Sequence, residues 1–201
     1  MLPGLCLAWA LVVSVGLHSV WSYESLPGEA AAAPAAWPAG TAIAPAAGRA
    51  TLVMLVHPHC PCSRASVEQL NRIMARVPGL LTAHVLFLQP SGVPEGWEKT
   101  NLWESIARVP GVLARVDRDG REAQRFGAST SGQVVLYDAG GRLLFSGGIT
   151  PSRGHDGDNA GADAVVALVN GTTPGVRESP VFGCSLVDPG AGTAARPCDA
   201  S

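Results

Sequence analysis

Charge is scarce in this chain, and basic clusters are missing. Charged side chains make up 15% of the 201 residues, with 14 Lys and Arg against 16 Asp and Glu for a net charge of −2. Nucleic-acid binding relies on clustered cations that neutralise phosphates, so this balance excludes nucleic acid as an expected partner. Cysteines number five, too few for a disulfide-stapled miniprotein, and an odd count cannot pair completely within one chain. The length holds one ordinary domain and would crowd two. An apolar content of 47% excludes wholesale disorder, while 24 Gly and 16 Pro point to stretches without regular structure.

Residues 5–20, LCLAWALVVSVGLHSV, contain no charged side chain. Residues 1–23 are read as a signal peptide or membrane anchor whose apolar stretch is 5–21, which makes the rest extracytoplasmic: periplasmic, secreted or held at a membrane. No Lys or Arg precedes the apolar core and no A-x-A site follows it directly, so both cleavage and retention stay open. Residues 24–48 form a Pro/Ala/Gly tract with few large apolar side chains, and are expected to be a semi-extended linker that buries too little surface to fold. Cys6 falls inside the leader as a small apolar residue.

The folded domain is expected over residues 49–171, followed by a tail over 172–201. Residues 51–56, TLVMLV, suit a strand buried on both faces. A helix follows, with Val67, Leu70, Ile73, Met74 and Val77 on one face and Arg64, Glu68, Arg72 and Arg76 on the other, closed by Pro78-Gly79. Residues 82–89 are the next strand, completing a parallel βαβ unit. A second helical pattern carries Trp97, Leu102, Trp103 and Ile106, and residues 112–117 suit a minor strand before a short helix over 121–126. Residues 133–137 and 142–146 alternate around Asp138-Ala139-Gly140-Gly141 as a hairpin, with Gly147-Gly148 ending its second strand and a last helix over about 160–169. The fold class is α/β, with a mixed central sheet flanked by helices.

The chemistry concentrates between the first strand and first helix, at His57-Pro58-His59-Cys60-Pro61-Cys62. Proline suits the first position of a helix, which makes Cys60 the N-cap. A sulfur there faces unpaired backbone N–H groups and the positive end of the helix dipole, and both favour thiolate. His57, His59 and Arg64 are candidates to add positive charge. Cys60 is therefore the expected nucleophile and Cys62 the expected resolving thiol. A disulfide between residues two apart is strained, which suits exchange rather than stabilisation. Metal binding is the alternative: Cys60, Cys62, His57 and His59 offer soft sulfur and imidazole, a set suited to Cu(I), although four ligands from six residues crowd one ion and two thiolates plus a distant ligand fit better.

This order of elements, the cysteine-bearing loop and the stretch VDRDGREAQRFGASTSGQVVLYDAGGRLLFSGG resemble the thioredoxin-like superfamily over roughly residues 50–169. HPHCPCSRAS together with PVFGCSL further resembles the RedB-type branch of extracytoplasmic predicted redox proteins. The resemblance implies a thiol-disulfide oxidoreductase acting on protein thiols or disulfides without a separate cofactor. It assigns Cys60, Cys62 and His59 to the catalytic loop, and Pro61, Ser131 and Gly132 to the substrate-facing surface. Two departures stand out. The family's C-x-x-C is here C-x-C, so either His59 or Cys60 takes the position of the first cysteine, and Gly132 stands where thioredoxins carry a cis-proline. Lacking a side chain, Gly132 is expected to open that face to a ligand, a partner backbone or a metal.

Several other residues have both structural and functional readings. Cys184 is a possible third thiol or ligand, or the disulfide partner of Cys198. His155 sits in a polar glycine-rich loop, Asp158 or Asn159 suits a helix N-cap, His84 lies in a strand, and Trp97 and Trp103 suit the core. Asn170-Gly171-Thr172 matches a glycosylation sequon. A redox-inert binding module is the third possibility, distinguished by neither exchanging disulfides nor holding a metal.

Overall fold

The computed structural model describes residues 2–29 and 31–186. Apolar, branched runs form its strands and three-four apolar spacing its main helices. The elements in chain order are α1 (Leu2–Ser25), β1 (Ala50–Val56), α2 (Pro61–Arg76), β2 (Leu81–Gln89), α3 (Asn101–Ala107), β3 (Val112–Arg118), α4 (Arg121–Arg125), β4 (Gln133–Tyr137), β5 (Leu143–Gly148), α5 (Ala160–Val169) and β6 (Glu178–Ser179). One six-stranded sheet runs in the order β3-β2-β1-β4-β5-β6. β1, β2 and β3 are parallel, β4 is antiparallel to β1 and β5, and β6 is parallel to β5.

Both faces of β1 are covered, as its uninterrupted apolar run requires. Leu52, Met54 and Val56 join Val67, Leu70 and Ile73 of α2 and Val165 of α5 in one core. Val53 and Leu55 point the other way, into a second core with Phe126, Val135 and Tyr137. The covering on this second face corrects the linker expectation for residues 24–48. The segment after α1 is extended but lies on the domain: Ile43 is 4% exposed, and the Trp37 ring meets Phe126 and Tyr137 edge-on at 5.2 Å each. Trp37 N–H donates to the Gly141 carbonyl (2.7 Å), Leu143 N–H to that of Ala35 (2.9 Å), and the Thr41 hydroxyl to Glu122. Its prolines restrict the free chain, so docking costs less entropy than the composition suggests, and Trp37 and Ile43 supply the burial. Trp37→Ala is expected to cost roughly 2–3 kcal/mol and to expose residues 26–49 to limited proteolysis, read by denaturant melts and cleavage-site mapping.

Two further expectations change. Trp97 lies in a turn before the seven-residue α3 and not within a helix, because Gly92 and Gly96 adopt positive φ (87° and 81°) and reverse the chain there. Gly147-Gly148 ends the hairpin strand from within, as its last two residues, so the strand runs past the expected 146. A Cβ on Gly148 would lie 2.4 Å from the Pro180 carbonyl oxygen, so these glycines admit the chain after β6. The expected 172–201 tail accordingly includes a strand of the sheet.

α1 presents Leu7, Trp9, Leu11, Val12 and Trp21 to the exterior at 67–73% exposure. Its residues Cys6–Ser25 are long and apolar enough to cross a membrane.

Candidate active site

β1 ends at Val56, and the chain turns through His57-Pro58-His59 to place Cys60 at the N-terminus of α2. Cys60 is the N-cap, with φ −82° and ψ 121°, and Pro61 opens the helix, as expected from the sequence. Cys60 and Cys62 are 3% and 8% exposed. Cys184 joins them, and the three sulfur atoms all lie within 4.8 Å of one another.

Backbone pairing delivers Cys184. Residues 183–186 run antiparallel to the turn that precedes β4: Ser131 N–H donates to the Cys184 carbonyl and Leu186 N–H to the Ser129 carbonyl, both at 2.8 Å, flanking a Thr130–Ser185 bridge. Gly183 permits this approach, since a Cβ there would lie 1.9 Å from the Ser131 carbonyl oxygen. Arg153 holds the segment from outside by donating to the Gly183 carbonyl, and also donates to Leu26 O (3.3 Å) just beyond α1. Sequence reasoning missed Arg153, because an arginine in a polar loop carries no mark of its distant partner.

The hydroxyls of Ser63 and Ser131 tie the loop to this turn. Ser63 Oγ donates to His57 O (3.0 Å) and lies 2.9 Å from Ser131 Oγ, which accepts from His57 N–H (2.9 Å). Gly132 has φ 88°, and its N–H donates to Leu55 O at 2.7 Å. The opening expected at Gly132 is closed, because a Cβ there would lie 2.5 Å from Ser66 Oγ on α2. Glycine at this position makes room for the protein's own helix, and the facing turn is occupied by residues 183–186.

The electrostatics separate the two loop thiols. The Cys60 thiol is lowered to about 5, chiefly by a hydrogen bond from the Cys184 side chain, which outweighs burial; the backbone N–H groups of Cys184 and Cys62 and the Ser63 hydroxyl add to it. Burial raises the Cys62 thiol, and the negative charge on Cys60 raises it further. At neutral pH the site holds a Cys60 thiolate beside a protonated Cys62.

The histidines contribute less than expected. Burial lowers His57, whose Nδ1 accepts from His59 N–H (3.3 Å), so it is neutral and adds no positive charge. The His59 ring lies against Trp97 at 4.3 Å, with Nε2 3.0 Å from the Trp97 carbonyl oxygen. Neither imidazole belongs to the thiol group. His155 is exposed and bound to Ser152 and Arg153 O, Asn159 caps α5 through Ala162 N–H, and Cys198 lies outside the described residues. Beside the thiols, a groove of about 700 Å³ is lined by Pro58, His59, Cys60, Pro61, Thr100 and Leu102, among others.

No protein-family model and no curated protein matches the chain. Two solved structures share its architecture. One is a hypothetical protein of Sinorhizobium meliloti, 23% identical over 80% of this chain and 93% of that one, with a TM-score of 0.56. The other is an uncharacterized conserved protein of Geobacillus kaustophilus, 19% identical over 83% of this chain and 95% of that one, with a TM-score of 0.58. The exposed lipoprotein thioredoxin of Streptococcus pneumoniae is similar at 14% identity over 62% of this chain and 85% of that one, with a TM-score of 0.45. In this chain the sheet core is β2-β1-β4-β5, a parallel βαβ unit beside an antiparallel hairpin that leads into α5, with a cysteine capping the helix after β1. The fold is thioredoxin-like. The thioredoxin-like resemblance of the sequence thus extends to its three-dimensional topology, and the cysteine loop occupies the strand-to-helix position that the resemblance implies.

Proposed function

We propose that the chain is an extracytoplasmic thiol-disulfide oxidoreductase in which Cys60 is the attacking group. The observation that carries this reading is a buried thiol at the N-cap position of α2, held as thiolate near neutral pH and bordering an open groove. The Cys60 thiolate attacks a partner disulfide, forming a mixed disulfide and releasing one partner thiolate. A second thiol of the site then attacks the Cys60 sulfur and releases the other. With Cys62 in that role the product is the Cys60–Cys62 bond of the thioredoxin-like scheme. Pro61 opens the helix directly after the reacting cysteine, and Ser131 ties the 129–131 turn to the cysteine loop through Ser63 and His57 N–H. The apolar α1 supports export or attachment to a membrane by residues 5–21. The test is turnover: the purified chain is expected to accelerate reduction of insulin disulfides by dithiothreitol. Acceleration no greater than that given by a Cys60→Ser chain would refute the reading.

The three-sulfur cluster favours one second reading, a Cu(I)-binding thioredoxin-like domain. Three thiolates suit a soft monovalent ion, with Cys184 as the distant third ligand in place of His57 or His59. This reading expects one Cu(I) per chain to persist through anaerobic gel filtration and to be lost in Cys60→Ser/Cys62→Ser. Retention of copper by that double variant would remove it.

A further inference from the structure

The segment 183–186 fills the position along the 129–131 turn where the thioredoxin-like resemblance places a partner chain. It is paired there by main-chain hydrogen bonds in the manner of an added strand. It presents a sulfur within 4.8 Å of both loop sulfurs, so the protein carries a cysteine of its own where an incoming peptide would place one. We infer that Cys184, and not Cys62, is the thiol that resolves the mixed disulfide on Cys60. This rests on the exchange reading above.

Three observations support the assignment. The first is backbone freedom. Cys60 and Cys62 flank a proline that opens α2, with Cys62 already inside the helix, so a bond between them must be made across rigid backbone and carries strain. Cys184 lies outside α2, in a segment paired to the 129–131 turn, so a bond from it to Cys60 does not have to be closed within one turn of helix. The second is direction. Displacement at sulfur places attacking and leaving sulfurs on different sides of the central one. The groove at Cys60 is lined from the α2 and α3 side and by none of residues 129–131 or 183–186, so a partner engaged there does not displace the Cys184 segment, which stays in place to attack. The third is construction. Gly183 and Gly148 allow backbone approaches to Ser131 and Pro180 that a Cβ would obstruct at 1.9 and 2.4 Å, and Arg153 clamps the Gly183 carbonyl. Together they seat one cysteine beside the nucleophile.

The step balances without another reactant. Cys60 thiolate and a partner disulfide give a Cys60–partner disulfide and one partner thiolate. Cys184, after losing its proton to solvent, attacks the Cys60 sulfur, forms the Cys60–Cys184 bond and expels the second partner thiolate. The partner disulfide is reduced by two electrons, and the Cys60/Cys184 pair is oxidised by two.

The experiment treats the reduced full chain with one equivalent of glutathione disulfide, quenches with acid and maps disulfides by non-reducing mass spectrometry. The expected product is a peptide linking Cys60 to Cys184. Cys184→Ala and the near-isosteric Cys184→Ser are expected to accumulate glutathione on Cys60, with its release slowed about tenfold or more. A Cys60–Cys62 or Cys184–Cys198 bond as the wild-type product would overturn the assignment, as would release at the wild-type rate in both variants. Wild-type mapping needs no substitution, so a misfolded variant does not decide the matter. A Cys60 that carries neither glutathione nor a bond to another cysteine in any chain would instead refute the exchange reading itself.

Discussion

Gly183→Val is expected to move the Cys60 thiolate midpoint from about 5 upward by roughly two units or more, read as thiolate absorbance at 240 nm against pH. The first atom of the new side chain would lie 1.9 Å from the Ser131 carbonyl oxygen. Relief requires residues 183–186 to move off the 129–131 turn, taking with them the Cys184 side chain and N–H, which are among the causes of the lowered value. Solvent exposure then returns Cys60 toward the ordinary thiol value of 9.0. Stability responds as well. A thiol lowered by folding stabilises the native state fully above the unfolded value of 9.0 and loses that contribution as pH falls through the folded value near 5. The Cys60 contribution in the wild-type chain therefore rises with pH between those limits. In Gly183→Val it is largely flat, which paired urea melts across the window would show.

Cys60→Ser is expected to lower disulfide exchange by on the order of a thousandfold or more. The substitution keeps the approximate size of the side chain and a group able to accept hydrogen bonds, but a serine hydroxyl stays protonated throughout the working range and is a poor nucleophile toward sulfur. Cys62 cannot take over at neutral pH, because burial raises its thiol and keeps it protonated. Removing Cys60 also removes one cause of that upward shift, and Cys62 in Cys60→Ser is expected to titrate lower than in the wild type. Exchange measured against pH separates the two thiols: residual activity from Cys62 rises at alkaline pH, whereas the wild-type profile is already level above about 6, one unit past the Cys60 midpoint.

The sequence pattern specifies the βαβ unit and hairpin because local periodicity decides them. The apolar run of β1, the three-four spacing of α2 and Pro61 after Cys60 act within a few residues of themselves. The cysteine cap was legible for the same reason. What stayed hidden depends on contacts across long separations. Trp37 packs on Phe126 and Tyr137, which no local pattern in a Pro/Ala tract announces. The seating of Cys184 rests on Gly183 meeting Ser131 and on Gly148 admitting Pro180; in sequence Gly147-Gly148 reads as a strand end, since a glycine selected for close approach looks like one selected for a turn. The histidines misled in the opposite sense. Proximity in sequence suggests charge support for Cys60, but burial keeps His57 neutral and Trp97 takes the His59 ring.

Trapping tests the central claim, that Cys60 is the attacking thiol, most directly. In Cys62→Ala/Cys184→Ala no neighbouring thiol resolves the intermediate, so brief reaction with glutathione disulfide at pH 7 should leave one glutathione per chain on Cys60, located by tandem mass spectrometry. An adduct confined to Cys6 or Cys198, with Cys60 left unmodified, would contradict the account.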